Sequence, residues 1–143
     1  MLFRSLCEGD PFFYGSFMYL FARLAPLYEV VVVPGVTSIA AVAASAGKPL
    51  VARNERLTVL PGPLSEAELT ERIAGAESVA IMKVGRHLPK IRRVIEALGL
   101  TARATYVERA SLPQEVVLPL SEAPEAAPYF SIILLTKGAD PWL

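Results

Sequence analysis

Cysteine and histidine are nearly absent from this chain: Cys7 and His87 each stand alone among 143 residues. An intramolecular disulfide is excluded, and one Cys with one distant His gives no metal-ligand spacing. Excess charge is lacking too. Fourteen Lys and Arg balance fourteen Asp and Glu, which leaves no global field to attract nucleic acid or an anionic membrane. No apolar run approaches the roughly 20 residues needed to cross a bilayer. The stretch around Ile39 to Ala44 is too short and too rich in small residues. Neither G-x-G-x-x-G, nor the phosphate-loop motif, nor G-x-S-x-G occurs, which argues against the commonest nucleotide folds and against a serine hydrolase. The start of the chain lacks the charged segment and apolar core of a signal peptide. With a lone Cys7, the expectation is a soluble protein in a reducing cytoplasm. What is present is a chain 53% apolar, able to form one ordinary domain or parts of two small ones.

The first third reads as strand, helix, strand. Leu2 to Cys7 is a short strand candidate, weakened by Arg4 and Ser5. Phe17 to Leu24 is apolar all round and stopped by Pro26, as in a buried helix. Tyr28 to Val33 is β-branched and nearly unbroken, fitting an interior parallel strand. Together they predict a βαβ unit. Thr37 or Ser38 can cap a helix over Ile39 to Ala46, ended by Gly47 and Pro49. The Gly-Lys-Pro breaker at 47–49 suggests a boundary, giving a domain over 1–47 and a second over 48–143.

The second block is more regular. A strand over Arg56 to Leu60 leads through Pro61-Gly62-Pro63 to Ser65-Glu66-Ala67-Glu68, which has the spacing of a capping box, with Leu64 and Leu69 as its hydrophobic staple. A helix over Glu66 to Ala74 should stop at Gly75, and a strand over Ser78 to Val84 should close on Gly85. Leu88, Ile91, Ile95 and Leu98 form one stripe of a helix over Pro89 to Leu98, stopped by Gly99. Ala104 to Glu108, Glu115 to Leu120 and Tyr129 to Thr136 are three further strands. Strands without intervening helices predict a mixed or antiparallel sheet portion. Ser121 to Pro128 is a Pro/Glu/Ala-rich loop.

Three turns could carry chemistry. The first, Gly9-Asp10-Pro11, lets a ligand approach bare backbone at Gly9. It can equally be an ordinary turn in which Asp10 bonds its own backbone. The second, Val33-Pro34-Gly35-Val36-Thr37-Ser38, again breaks an apolar run into a helix start, where small ligands bind in open α/β sheets. The third, Met82-Lys83-Val84-Gly85, is another strand end at a turn. Phe12 and Phe17 read as packing; Tyr14 needs a partner for its hydroxyl if buried. Lys90, Arg92 and Arg93 read as the solvated face of a helix. Lys83, Arg86 and His87 follow a strand end. His87 near a helix start would be held toward its neutral form.

The runs Gly9-Asp10-Pro11-Phe12-Phe13-Tyr14, Val33 to Ser38, Ile81 to Lys90 and Tyr106 to Ser111 together resemble the tetrapyrrole methylase family. The resemblance implies the two-domain α/β fold of that family, here a partial N-terminal parallel-sheet domain plus a complete mixed-sheet C-terminal domain. It implies methyl transfer from S-adenosylmethionine to a tetrapyrrole. Carried over by position, the cofactor contacts are Gly9, Asp10, Phe13, Thr37, Ser38, Val84 and Ala110. Glu8 departs from the glycine that relatives often have there. Tyr14, Lys83, Arg86 and His87 would face the ring substrate, whose many carboxylates call for several spaced cations, with Arg53, Arg56 and Arg109 also available. No metal is implied, and no proton acceptor is named.

The runs at 9–21 and 81–90 look most like members that methylate precorrin-2 at its C20 carbon in cobalamin biosynthesis, as a homodimer when full length. That carbon is electron-rich and the sulfonium is a good leaving group, so alignment in a dry cleft is the protein's main work. Alternatives within the family are another precorrin or uroporphyrinogen III, or a protein or ribosomal RNA, the last disfavoured by neutral charge. The family's upstream Gly-Pro-Gly-Asp-Pro loop finds no match. A further alternative is therefore an inactive fragment, and the expectation is that this chain alone does not catalyse.

Overall fold

A computed structural model describes residues 3–138, and its contacts divide the chain into two units between Ala40 and Ala41. In the first unit, helix α1 spans Phe17–Leu24 and ends at Ala25, whose N–H returns to the Phe21 carbonyl just before Pro26. Phe12 packs edge-on to Phe21 with centroids 5.0 Å apart, and Phe17 stands 5.9 Å from Phe12. This aromatic knot fixes the entry to the helix, but Phe12 stays 47% exposed and no residue of α1 is buried, which corrects the expectation of a buried helix with Phe12 and Phe17 in a core. Helix α2, Ser38–Ala46, crosses the division between the units. The Thr37 hydroxyl accepts the Ala40 N–H at 3.4 Å, the position of an N-cap.

Two expected strands do not form. Residues 3–7 and 28–33 carry no strand pairing, and Leu2 lies outside the described residues. The expected parallel pairing of the first unit and its βαβ unit are thereby corrected among the described residues. The physical reason is that β-branched composition supplies propensity but a strand exists only with a partner to complete its ladder. The side chains show the same lack of cover: Leu6 is 98% exposed and Val31 79%.

The second unit is built on one five-stranded sheet. Its strands are β1 (Leu57–Pro61), β2 (Ser78–Met82), β3 (Ala104–Glu108), β4 (Val116–Pro119) and β5 (Ser131–Thr136), in the order β1-β2-β5-β3-β4. β1 and β2 are parallel, while β2–β5, β5–β3 and β3–β4 are antiparallel, the mixed sheet expected of this block. Helix α3, Glu66–Ala74, makes the crossover between β1 and β2, which parallel neighbours require. Helix α4, Leu88–Ala97, follows β2.

Burial follows position in the sheet. β2 and β3 are buried at every residue and β5 through its first five, so none shows the alternation of a half-exposed strand. The edge strand β4 does alternate. On one face Val79, Ile81, Tyr106, Ile133 and Leu135 join Leu69 and Ile73 of α3 and Leu88, Ile91 and Ile95 of α4 in a single apolar core. Each such side chain, fully buried, contributes about 1.5–3 kcal/mol. The α3 start is the expected capping box. The Ser65 hydroxyl accepts the Glu68 N–H at 3.2 Å, and Glu68 Oε2 accepts the Ser65 N–H at 3.0 Å. Leu64 packs, partly buried, against the core cluster that contains Leu69.

Candidate functional site

In the first unit the turns at 9–16 and 33–38 are tied together by one carboxylate. Asp10 Oδ1 accepts the Phe12 N–H at 2.9 Å and Oδ2 accepts the Gly35 N–H at 2.9 Å. The Gly35 amide above all, then those of Phe12 and Phe13, hold the Asp10 carboxyl below its ordinary value. Asp10 therefore does bond its own turn, as the plain reading holds, and also clasps a turn 25 residues on. Its charge is spent on backbone amides. Gly9 has φ +78°, where a side chain is strained, and is exposed, so its backbone is open to a ligand.

Around this clasp the structure places four more of the expected residues. Phe13 is half-buried, its ring edge-on to Tyr14 at 5.2 Å. Tyr14 is 46% exposed and held at φ +54°. Thr37 caps α2 and Ser38, exposed, opens it.

In the second unit, topology decides which residues share an end of the sheet. β2 and β3 run the same way, both antiparallel to β5 between them. The turns after β2 and β3 therefore emerge on either side of the start of β5. That end carries Lys83, Arg86, His87, Arg109 and Ala110, together with Pro128, Tyr129 and Phe130. The Arg109 N–H donates to the Phe130 carbonyl at 2.8 Å, and a Cβ placed on Gly85 would stand 4.0 Å from the Pro128 carbonyl oxygen. Gly62, after β1, is pressed against the same turn. Its N–H donates to the Met82 carbonyl at 2.7 Å, and a Cβ there would lie 2.7 Å from the Lys83 carbonyl oxygen.

Backbone strain concentrates at these turns. Five non-glycine residues among those described have positive φ: Tyr14, Arg53, Lys83, Arg109 and Ser111. Four lie in the runs that carry the family resemblance, where stored strain is a marker of ligand sites. The Ser111 turn is braced by Glu115, whose Oε2 accepts the Ser111 N–H at 2.5 Å and the Ser45 hydroxyl at 2.6 Å. Those two donors, Ser45 first, hold the Glu115 carboxyl below its usual value.

Val84 is not at the surface. Its side chain is fully buried in the core, so only its backbone is available to a ligand, and its carbonyl accepts the His87 N–H at 2.7 Å. Ala110, by contrast, is half-buried at the end of β3. Arg86 and Lys83 are exposed. His87 stands at the N-cap of α4, and partial burial, then Lys90 and Arg86, keep its imidazole below the ordinary value. Lys90, Arg92 and Arg93 are not simply solvated. Lys90 donates to the Leu64 carbonyl, Arg92 to that of Ala123 at 3.0 Å, and Arg93 pairs with Glu66 at 2.5 Å.

Sequence reasoning missed a buried polar pair at the same sheet end. The Tyr106 hydroxyl donates to Glu108 Oε1 at 2.5 Å, and Glu108 Oε2 accepts from Arg109 Nη1 at 3.3 Å. Burial first, then Glu108, pushes the Tyr106 phenol far above its normal range. The signal was available: residues two apart on a strand share a face, so Tyr106 and Glu108 had to meet. Among the described residues no cluster of His, Cys, Asp and Glu could hold a metal, and no helix is long and apolar enough to cross a membrane.

Comparison with known proteins places these turns in context. The profile for "Tetrapyrrole (Corrin/Porphyrin) Methylases" matches residues 5–124. A precorrin-2 C(20)-methyltransferase from Sinorhizobium sp is 49% identical over 136 residues, 94% of this chain and 56% of that protein. A solved cobalamin biosynthetic enzyme, cobalt precorrin-4 methyltransferase, is 25% identical with a TM-score of 0.70 over 90% of this chain and 61% of its own. The uroporphyrin-III C-methyltransferase of Thermus thermophilus, solved with S-adenosylhomocysteine, is 28% identical with a TM-score of 0.62, over 88% of this chain and 62% of its own. The chain thus spans little more than half the length of the curated relative it matches.

Proposed function

The chain belongs to the tetrapyrrole methylase family, and from that membership we propose that it carries ligand-binding turns of an S-adenosylmethionine-dependent methyltransferase acting on C20 of precorrin-2 in cobalamin biosynthesis. The observation that carries the substrate assignment is the 49% identity to a relative of that name. The cofactor assignment is supported by the clasped glycine turns and by the relative solved with S-adenosylhomocysteine. When bound, S-adenosylmethionine supplies a methyl group on a sulfonium.

The residues present fit such a ligand. Asp10 meets backbone amides with both oxygens, so its charge is offset and would not repel a ligand carboxylate at the turn. Gly9 offers bare backbone, Phe13 an aromatic wall, and Thr37 and Ser38 the hydroxyls and amides of a helix start. Val84 takes part through its backbone, and Ala110 leaves room for a flat base. On the substrate side we assign Tyr14, Lys83, Arg86 and His87. His87, held neutral at pH 7, would accept a hydrogen bond without adding charge. We place the full-length protein in the cytoplasm as a homodimer.

Calorimetry with S-adenosylhomocysteine tests the cofactor assignment. Binding is expected in the unaltered chain and a loss of about tenfold or more in Gly9→Val, because a branched side chain at positive φ both strains the turn and fills the approach. Equal affinity in the variant would remove Gly9 from the site. For the substrate, a protein extended to the length of its relatives is incubated with precorrin-2, and the methylated carbon is located by NMR. Methylation of a different acceptor would overturn the substrate while leaving the family in place.

A further inference from the structure

We propose that the cavity between the C-terminal end of α2 and the paired strands β3 and β4 is a separate ligand site, which takes a small apolar monocarboxylate on Lys48 and Thr105. It lies wholly within the second unit and draws on no residue of the turns assigned above.

The cavity measures about 270 Å³, and its walls are apolar, from Ala46 at the end of α2 to Val117, Leu118 and Pro119 of β4. Its only polar side chains are those of Lys48 and Thr105. A volume under the roughly 300–1,000 Å³ of drug-sized sites is too small to enclose a tetrapyrrole or a nucleoside. A ligand of a few carbons fits. The site also stands apart from the cofactor turns, because Thr105 lies near the start of β3 and Ala110 follows its end, five residues on at about 3.3 Å each.

The two polar side chains select the charge of the ligand. Thr105 is 5% exposed and stands on the face of β3 opposite Tyr106, and its hydroxyl oxygen accepts a hydrogen bond from Lys48 Nζ at 2.7 Å. Among the described residues no carboxylate pairs with that ammonium, and the Thr105 hydroxyl donates to no other group. A cation is therefore held against a buried hydroxyl, with donors to spare on both. The group that accepts from an ammonium and a hydroxyl at once, one oxygen to each, is a carboxylate. One cation matches one negative charge better than the nearly two of a phosphate monoester.

Hexanoate is the probe and hexan-1-ol its uncharged counterpart, each titrated into the 143-residue chain and followed by amide and methyl resonances in heteronuclear NMR. Hexanoate should shift Ala46, Thr105 and Val117 saturably, with a dissociation constant on the order of 1 mM for so few atoms, and hexanol should bind at least about tenfold more weakly. Lys48 is exposed, so its replacement leaves the fold intact. Lys48→Met keeps the apolar stem and removes the charge; it should weaken hexanoate about tenfold, the size of one lost charged hydrogen bond, and leave hexanol unchanged. Lys48→Arg should retain most of the affinity, and Thr105→Val should lose it several-fold. Shifts that do not saturate, an equal response to hexanol, or full affinity in Lys48→Met overturn the site. Displacement of hexanoate by S-adenosylhomocysteine also overturns it, by placing the probe in the cofactor turns, and leaves the cofactor reading standing.

Discussion

Gly35 rests directly on the Gly9 carbonyl: a Cβ on Gly35 would overlap the Gly9 oxygen and stand 3.0 Å from its carbon and 3.3 Å from the Asp10 Cα. What such a methyl meets is backbone, which cannot swing aside. Gly35→Ala must therefore part the two turns, at a cost of about 1–3 kcal/mol typical of overpacking. We expect it to abolish measurable S-adenosylhomocysteine binding in calorimetry while the far-UV melting of the sheet is retained. Wild-type affinity in Gly35→Ala would show that the apposition of the turns does not matter to the ligand.

The clasp should also respond to acid in a definite direction. Asp10 titrates below its ordinary value of 3.8 because the folded turn donates amides to the charged form, Gly35 first. A carboxylate with a depressed folded value stabilises the fold fully above the unfolded value and loses that contribution as pH falls through the folded one. The Gly35 amide resonance should hold its shift from neutral pH to about 4 and move only below it. A midpoint above 3.8 would contradict the clasp.

His87 provides an internal reporter, since a chain with one histidine shows the ring protons of one imidazole only. Burial, then Lys90 and Arg86, lower its value from 6.5, so the folded state binds a proton less readily than the unfolded chain. Its contribution to stability is present above 6.5 and lost as pH drops through the folded midpoint. The NMR titration should give a midpoint below 6.5, moved upward by Lys90→Ala and Arg86→Ala. A midpoint at or above 6.5 would remove the neutral-acceptor role.

Ser65→Ala should cost about 1 kcal/mol, the usual loss for an N-cap hydroxyl. For a domain of this size that is roughly 4–8 °C of melting temperature. Thermal unfolding by circular dichroism reads it directly, and a shift under one degree would mean that water replaces the cap at no cost.

The second unit was legible because its signals are local and agree with one another. Ser65 and Glu68 announce the start of α3 and Gly75 its stop, Gly99 follows the end of α4, and Ala104 to Glu108 is a strand from end to end in sequence and in structure. The first unit was legible only where cause and effect are local. Phe17 to Leu24 is a helix because its hydrogen bonds are internal, whereas Tyr28 to Val33 depends on a neighbour that composition cannot provide. The same divide runs through the site. Gly9 could be singled out by its turn, but that Asp10 reaches Gly35 is a tertiary fact. Val84 was assigned to the ligand by position from the family resemblance; the left-handed Lys83 before it turns the chain, and the Val84 side chain goes into the core, which the sequence alone could not show. Tyr129 and Phe130 read as the beginning of β5 because aromatic residues favour strands, and only the register shows that the ladder starts at Ser131.

The position of β5 has a kinetic side. Among the described residues it is the last strand in sequence and the middle one in space, bonded to β2 on one edge and β3 on the other. During synthesis, β1 and β2 can pair as soon as α3 has formed, and β3 and β4 can close as a hairpin. The two pairs have no ladder in common until Ser131 to Thr136 arrives between them. Non-local pairing of this kind raises contact order and slows folding, and until the strand docks both waiting pairs present open edges of Val, Ile and Tyr. Nascent chains of the second unit stalled before Ser131 should therefore be held by ribosome-associated chaperones more than those stalled once Thr136 has cleared the exit tunnel.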